Sequence, residues 1–326
     1  MRKKMVGTAV IGLVALFMTA AAVQAKVAPL VSTQWVADNL ATIQDTSQTK
    51  IRLLEVSVKG YDKGHIPGAI FFNWKKDAFS PNTDHMVHSL GEIERMLRKY
   101  GLTNDTHIVI YDGDNNHPQH LARIYWTLKY WNFADVSMMD GNKALWQVQG
   151  RSLSTDVPAI APRNIEVAYP PNTKIRAMYS PHVTTALATE NAILVDSRQP
   201  DFFDGKKYFI DKWVRSGHIT GAINAPTEFT LNKDKTFMDV AALKKFYADR
   251  GITPDKKIIA YCDTGALAAH GWFVLQELLG YPHVTMYDGS MREYANRFDT
   301  PMVPGVVGGK FPQTPIQRLE EKVGLK

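Results

Sequence analysis

The chain has 326 residues, 45% hydrophobic and 21% charged, with a formal net charge of +6 at pH 7 and a single cysteine. This length and apolar content suit two ordinary domains better than one. One cysteine excludes an internal disulfide framework, and without a lysine–arginine run beyond residue 25 there is no electrostatic case for binding nucleic acid.

The N-terminus reads as an export signal. Arg2, Lys3 and Lys4 precede an apolar segment, Val6 to Phe17, and Val23-Gln24-Ala25 offers small residues before Lys26. The apolar run is short and interrupted by glycine, which favours a cleaved secretory peptide over residues 1–25 against an uncleaved anchor. The expectation is a periplasmic or secreted protein, cut near Ala25, with no membrane contact in its mature form. Cleavage removes three basic and no acidic residues, so the charge falls from +6 to +3. In an oxidising compartment a lone thiol is a liability unless it is buried or used.

Along the mature chain, short β-rich runs alternate with helical patterns. Ile51 to Val56 is strand-like. Ser89, with Glu92 three residues on, forms a capping box, and Leu90, Ile93, Leu97 and Tyr100 give the following helix one apolar face. Periodicity is lost from Arg151 to Pro181, where Pro158, Pro162, Pro170, Pro171 and Pro181 accumulate, so this stretch reads as a semi-extended linker across both domains. Beyond it, Asp239 can cap a helix with Leu243, Phe246 and Tyr247 on its face. The organisation predicted is a first domain over 26–150, a linker over 151–179, a second domain over 180–304 and a tail over 305–326. Strands separated by helices predict an α/β fold, each domain a mostly parallel sheet flanked by helices.

The two halves repeat each other. Gly64-His65-Ile66-Pro67-Gly68-Ala69 returns as Gly217-His218-Ile219-Thr220-Gly221-Ala222, and Met139-Asp140-Gly141-Asn142 as Tyr287-Asp288-Gly289-Ser290. Between them Thr106 to Tyr111 matches Lys256 to Tyr261. Matches in one order at a spacing near that of a whole domain indicate a duplicated domain.

Cys262 follows the apolar run Lys257 to Tyr261, opens the turn Asp263-Thr264-Gly265-Ala266-Leu267, and precedes a helical stretch from Ala268 to Leu279. A strand end, a tight loop and a helix N-terminus bring N–H groups and a positive dipole end to one point, favouring thiolate over thiol. The competing reading is a buried cysteine acting as a small hydrophobe.

Two Gly-His-Ile-x-Gly-Ala motifs, with one cysteine heading a six-residue loop in the second half, resemble the tandem rhodanese sulfurtransferases, which include thiosulfate and 3-mercaptopyruvate enzymes. The likeness runs from Leu30-Val31-Ser32-Thr33-Gln34-Trp35-Val36 through Phe71-Phe72-Asn73, Ser80-Pro81, Asp84-His85-Met86 and Val195-Asp196-Ser197-Arg198 to Asp288-Gly289-Ser290. The resemblance implies that the first half is catalytically silent, since Asp112 stands where Cys262 stands in the second. It implies an enzyme without cofactors, in which Cys262 takes a sulfane sulfur from a small donor, holds it as a persulfide, and passes it to a thiol or cyanide; any protein acceptor stays unidentified. The backbone of Asp263, Thr264, Gly265, Ala266, Leu267 and Ala268 would cradle the sulfur, with Gly265 supplying conformational freedom. Thr264 would offer a hydroxyl to the leaving group or bond its own backbone.

The departures concern donor recognition. Thiosulfate enzymes of the family carry basic residues after the cysteine, whereas Asp263 opposes both thiol ionisation and approach of a dianion. The arginines that hold a mercaptopyruvate carboxylate fall near Phe202 and Asp211, leaving Lys206, Lys207, Lys212 and Arg215 as substitutes, and the first-half aspartate falls at Lys75. Asp196 and Arg198 read as a brace behind the loop. His65 and His218 read as packing residues. His117 and His120 lack further ligands for a metal, and Trp126 to Trp131, Trp272 and Phe273 read as core. Ala268 rules out the Cys-x5-Arg clamp of a phosphatase. A different class stays open: a binding module that docks a partner at the cleft between the halves.

Overall fold

The computed structural model describes residues 27–115, 117–209 and 212–304. The expected signal segment, the tail from residue 305, and Asp211 lie outside the described residues.

Two five-stranded sheets carry the fold. In the first half, β1 (Leu30–Ser32), β2 (Ile51–Ser57), β3 (Ile70–Asn73), β4 (His107–Asp112) and β5 (Val136–Asn142) lie in the order β1-β5-β4-β2-β3, and every pair is parallel. In the second, β6 (Arg176–Ala177), β7 (Ile193–Asp196), β9 (Ile223–Asn224), β10 (Ile258–Tyr261) and β11 (Val284–Tyr287) lie in the order β6-β11-β10-β7-β9, again all parallel. Between β7 and β9, β8 (Gly217–Ile219) turns aside to pair antiparallel with β12 (Met302–Pro304). The two orders are the same topology. Central strands β4 and β10 are buried on both faces, as parallel strands covered by helices must be, and this explains their unbroken apolar runs.

The capped helices form as the sequence dictates. Glu92 accepts from the Ser89 amide at 2.8 Å, and the helix Leu90–Lys99 buries Ile93, Met96 and Leu97. The Asp239 side chain accepts from the Ala242 amide at 2.9 Å and starts the helix Val240–Ala248, which buries Leu243 and Tyr247. Among the described residues no helix is long and apolar enough to cross a membrane.

The proline-rich stretch lies mainly along the first half. Ser154 and His65 exchange backbone bonds of 2.9 Å, the Asn172 amide donates to Tyr130 at 2.7 Å, and Ile165 and Val167 are buried. Without a helical or strand pattern of its own, it satisfies part of its backbone on the domain it has just left.

The halves meet on one shared core. Helices Pro118–Tyr130 and Ala266–Trp272 face each other, and Tyr125 meets Phe273 edge-on at 4.9 Å just beyond the second of them. Trp126, Trp131, Trp272 and Phe273 are all buried there. Polar ties cross in matching places: the Asp140 carboxylate accepts from the Phe237 amide at 2.9 Å, and Asp288, its counterpart in the repeat, accepts from the Val87 amide at 3.0 Å. Duplication thus supplies one aspartate from each half to hold a segment of the other.

Candidate active site

Cys262 stands at the carboxyl end of the central strand of the second sheet, where parallel α/β folds place their sites. The preceding residue fixes the strand end to the repeated motif. The Tyr261 hydroxyl accepts from the Ile219 amide at 3.2 Å, just as the Tyr111 hydroxyl accepts from Ile66 at 3.0 Å. His65 stacks on Tyr61 at 3.9 Å and bonds the Tyr61 and Asp156 carbonyls, while His218 stacks on Phe203 at 3.6 Å and bonds its carbonyl. Both histidines are packing residues of the turns that the tyrosines clamp.

The loop curls around the sulfur. Gly265 donates its amide to Sγ at 3.1 Å, and the amides of Thr264 and Ala268 also face it. Gly265 takes φ +86°, and a Cβ there would lie 2.7 Å from Nη1 of Arg123 and 3.2 Å from the Asp288 carbonyl. Glycine is therefore required twice, by backbone conformation and by space. The left-handed residue also starts the helix at Ala266, two residues before the sequence pattern suggests; the stretch from Phe273 to Leu278 continues as a wider π-helical segment. On the other side, the Cys262 amide donates to Ser290 Oγ at 3.2 Å, and the Met291 and Arg292 amides donate to the carbonyls of Cys262 and Asp263.

The expected acidic thiol is not what this seat produces. Cys262 is 1% exposed, and burial pushes its pKa above the ordinary thiol value; the Asp263 carboxylate adds to the rise, while the three amides pull the other way. Three N–H dipoles do not outweigh full desolvation of a charge with an acid next door.

Asp263 is itself held by a brace. Arg198 grips Asp196 through two nitrogens, with Nη2 at 2.6 Å from Oδ2, donates to the Gly217 carbonyl at 2.8 Å, and reaches Asp263 at 3.5 Å. Burial raises the Asp263 carboxyl to about 6, against the attraction of Arg198. Arg198 is thus committed to two carboxylates and a carbonyl.

A cavity of about 380 Å³ opens beside the loop between the halves. Asp263, Leu267, Arg198 and His270 line it from the second half, and Pro118 and Gln119 from the first. The sulfur lies behind the loop, its neighbours Asp263 and Leu267 forming the wall. Phe202 also lines the cavity, but Lys75 does not; it is exposed on the short helix Trp74–Asp77. The cations proposed as substitutes are engaged elsewhere. Lys206 pairs with Asp204 at 2.9 Å, Lys207 pairs with Asp201 at 2.8 Å, and Arg215 donates to the Tyr294, Ala295 and Thr300 carbonyls. The ammonium of Lys212 lies over the Phe209 ring at 4.9 Å.

Two residues of the site had no signal in the sequence, and a third had only part of one. Arg123 of the first half, fully buried, reaches Asp288 at 2.7 Å and lies against Gly265, so the first half backs the loop of the second. Asp288 also binds Arg176 at 3.0 Å; its place in the repeat was legible but its two arginine partners were not. His270 was the second without a signal. Thr230 Oγ1 donates to the Thr227 carbonyl, so its contact with His270 Nε2 at 2.9 Å needs the proton on Nε2. Burial lowers the His270 pKa to about 3, leaving a neutral ring with Nδ1 unprotonated. His117 and His120 stack on each other, and His120 stacks on Trp74; no group of three or more metal-binding side chains occurs among the described residues.

In the first half the matching loop is filled differently. Asp112 accepts from the amides of Asp114 at 2.9 Å, Asn115 at 3.1 Å and His117 at 2.7 Å. A carboxylate occupies the seat that the thiol occupies in its partner.

Paired sheets of one topology, with a single buried thiol cradled by amides at the end of one central strand, define a duplicated α/β protein in which one strand end carries a sulfur. The chain belongs to the rhodanese-like family, whose domain model matches residues 33–149 and 182–297. It is 37% identical to the sulfur carrier protein TtuD of Thermus thermophilus over 286 residues, covering 85% of this chain and 96% of that one. It is 36% identical over 281 residues to a protein of Mycolicibacterium smegmatis provisionally named a thiosulfate sulfurtransferase, covering 85% of this chain and 98% of the other. Among solved structures, an anaerobic ergothioneine biosynthesis enzyme from Chlorobium limicola, complexed with trimethyl histidine, is similar with a TM-score of 0.73 at 25% identity; the match covers 85% of this chain and 70% of that one. By their names, the first two of these relatives carry or transfer sulfur.

Proposed function

We propose that the protein is a rhodanese-type sulfurtransferase in which Cys262 carries the sulfur. The observation that supports this most is the Gly265 amide donating to Sγ at 3.1 Å within a loop whose Thr264 and Ala268 amides face the same atom. In the first step the Cys262 thiolate attacks the sulfane sulfur of a donor. A new S–S bond forms, the donor's bond to that sulfur breaks, and its electron pair leaves with the donor. In the second step an acceptor thiolate or cyanide attacks the outer sulfur and Cys262 departs as a thiolate. Both steps pass through anionic sulfur, which the amides stabilise, and a covalent intermediate divides one difficult transfer into two. Arg198 and Asp196 hold the loop wall, and Arg123 of the first half, paired with Asp288 of the second, holds its floor. The basic, apolar start of the sequence supports an exported setting for this chemistry.

The donor is either of thiosulfate type or of 3-mercaptopyruvate type. A side-by-side rate comparison of the two, with cyanide or a small thiol as acceptor, tests the reading. Turnover with at least one, abolished in Cys262→Ser, is expected. Residual turnover in Cys262→Ser overturns it. No turnover with any sulfane donor would favour the binding-module reading, which the burial of the sulfur and the acidic neighbour Asp263 support.

A further inference from the structure

We propose that Lys235 anchors the acid group of the small molecule that exchanges sulfur with Cys262, so that the cleft selects organic monoanions whose charge lies away from their sulfur. This rests on the sulfur-transfer reading of the same cleft. Lys235 lines the cavity beside the loop, and among the described residues its ammonium has no ion-pair or hydrogen-bond partner. Arg198, the other basic side chain in the lining, is committed to Asp196, Asp263 and the Gly217 carbonyl.

The segment that presents Lys235 is fixed. Leu231 and Phe237 form a bridge, the Asn232 amide donates to the Thr236 carbonyl at 2.8 Å, and the Asn232 side chain donates to the Phe237 carbonyl at 2.9 Å. Lys235 occupies the tight turn with φ +71°. Asp140 of the first half accepts from the Phe237 amide at 2.9 Å, so the hairpin is pinned by the domain across the cleft. The hairpin therefore fixes the base of the side chain, while the ammonium keeps the freedom of its four-carbon stem until an anion meets it.

The rest of the lining decides which anions fit. Asp263 stands in the wall next to the sulfur, and Glu228, bonded by the Gln199 side chain at 2.7 Å, adds a second acid. Negative charge close to the reacting sulfur is therefore repelled, and one uncommitted cation matches one negative charge. Phe202, Phe209, Pro226 and Leu231 give the intervening space apolar walls. The ligand class that satisfies all of this is a thiol or hydropersulfide with a short apolar chain and a terminal carboxylate. A compact dianion meets repulsion at the sulfur and has only one cation to answer it.

The test compares two sulfur acceptors of one skeleton, mercaptopropionate and mercaptopropanol, with the full chain and a saturating donor. The expected KM for the acid is about tenfold below that for the alcohol, the weight of one charge-assisted hydrogen bond. Lys235→Gln erases the preference through KM, with kcat moving less than about twofold, and Lys235→Arg keeps it. Equal KM values in the wild type, or a preference that survives Lys235→Gln, overturn the proposal. Calorimetric titration with the unreactive methylthioether of mercaptopropionate decides the matter independently of turnover. Binding lost in Lys235→Gln upholds the anchor even if no sulfur is transferred and the enzymatic reading fails; binding equal in both proteins overturns it.

Discussion

The loops after Tyr111 and Tyr261 are two copies of one device with different atoms in the seat. In the first, three amides close on the Asp112 carboxylate. In the second, three amides face the Cys262 sulfur. In both, burial leads and the occupant's pKa rises above its ordinary value. The seat is therefore a property of the duplicated fold, not of catalysis. It positions an acidic atom and offsets part of the cost of charging it, and the chemistry depends on which atom occupies it. The strand ends behind the loops differ in the same spirit. Glu55, opposite Tyr111, is held by Lys143 at 3.1 Å, whereas Asp196, opposite Tyr261, is held by Arg198, which extends to the loop itself. In the second copy the brace reaches its loop through an ion pair, whereas in the first the Glu55 side chain lies against Gly113.

Emptying the first seat should have the largest effect on stability. Asp112→Ala leaves three partly buried amides without their acceptor, and a loss of about 3 kcal/mol is expected from the usual cost of such groups. Denaturant unfolding measures it; a loss below about 1 kcal/mol would mean that water replaces the carboxylate and that the seat is not structural.

Next comes Gly265→Ala, which imposes a Cβ at 2.7 Å from Arg123 Nη1 on a residue with φ +86°. The backbone term alone is about 1–2 kcal/mol. Sulfur transfer should fall at least about tenfold as the amide moves off the sulfur. Unchanged turnover in a folded variant would show that the Gly265 amide does no work in the reaction.

The smallest effect expected is a shift in pH dependence. Asp263 has its carboxyl raised from 3.8 to about 6 in the folded chain, chiefly by burial. Ionising it costs the folded state, so its contribution is most favourable below about 4 and is lost as pH rises to about 6. Asp263→Asn should flatten that fall in a pH series of melting temperatures. It should also lower the pH midpoint of Cys262 alkylation, because one cause of the raised thiol pKa disappears. A midpoint that stays or rises would mean that the carboxylate does not act on the sulfur.

Much of the architecture was legible because duplication writes it twice. The repeated Gly-His-Ile and Asp-Gly motifs bracket strands whose order proves identical in the two halves. Ser89 and Asp239 mark helix starts through their own short-range bonds. What could not be read depends on distance along the chain or on burial. Arg123 meets Asp288 across 165 residues, Lys235 owes its place to Asp140 of the other half, and the rise in the thiol pKa comes from a packed wall that no local spacing encodes. The loop residues told where amides would gather, but not how little water would reach them.

The central claim is that sulfur resides covalently on Cys262. Intact-mass and peptide mass spectrometry after incubation with a sulfane donor tests this most directly. The account predicts one additional sulfur atom, located on the peptide containing Cys262 and removed by thiol or cyanide. A wild-type protein that gains none from any donor, or a Cys262→Ser variant that still gains one, would contradict it.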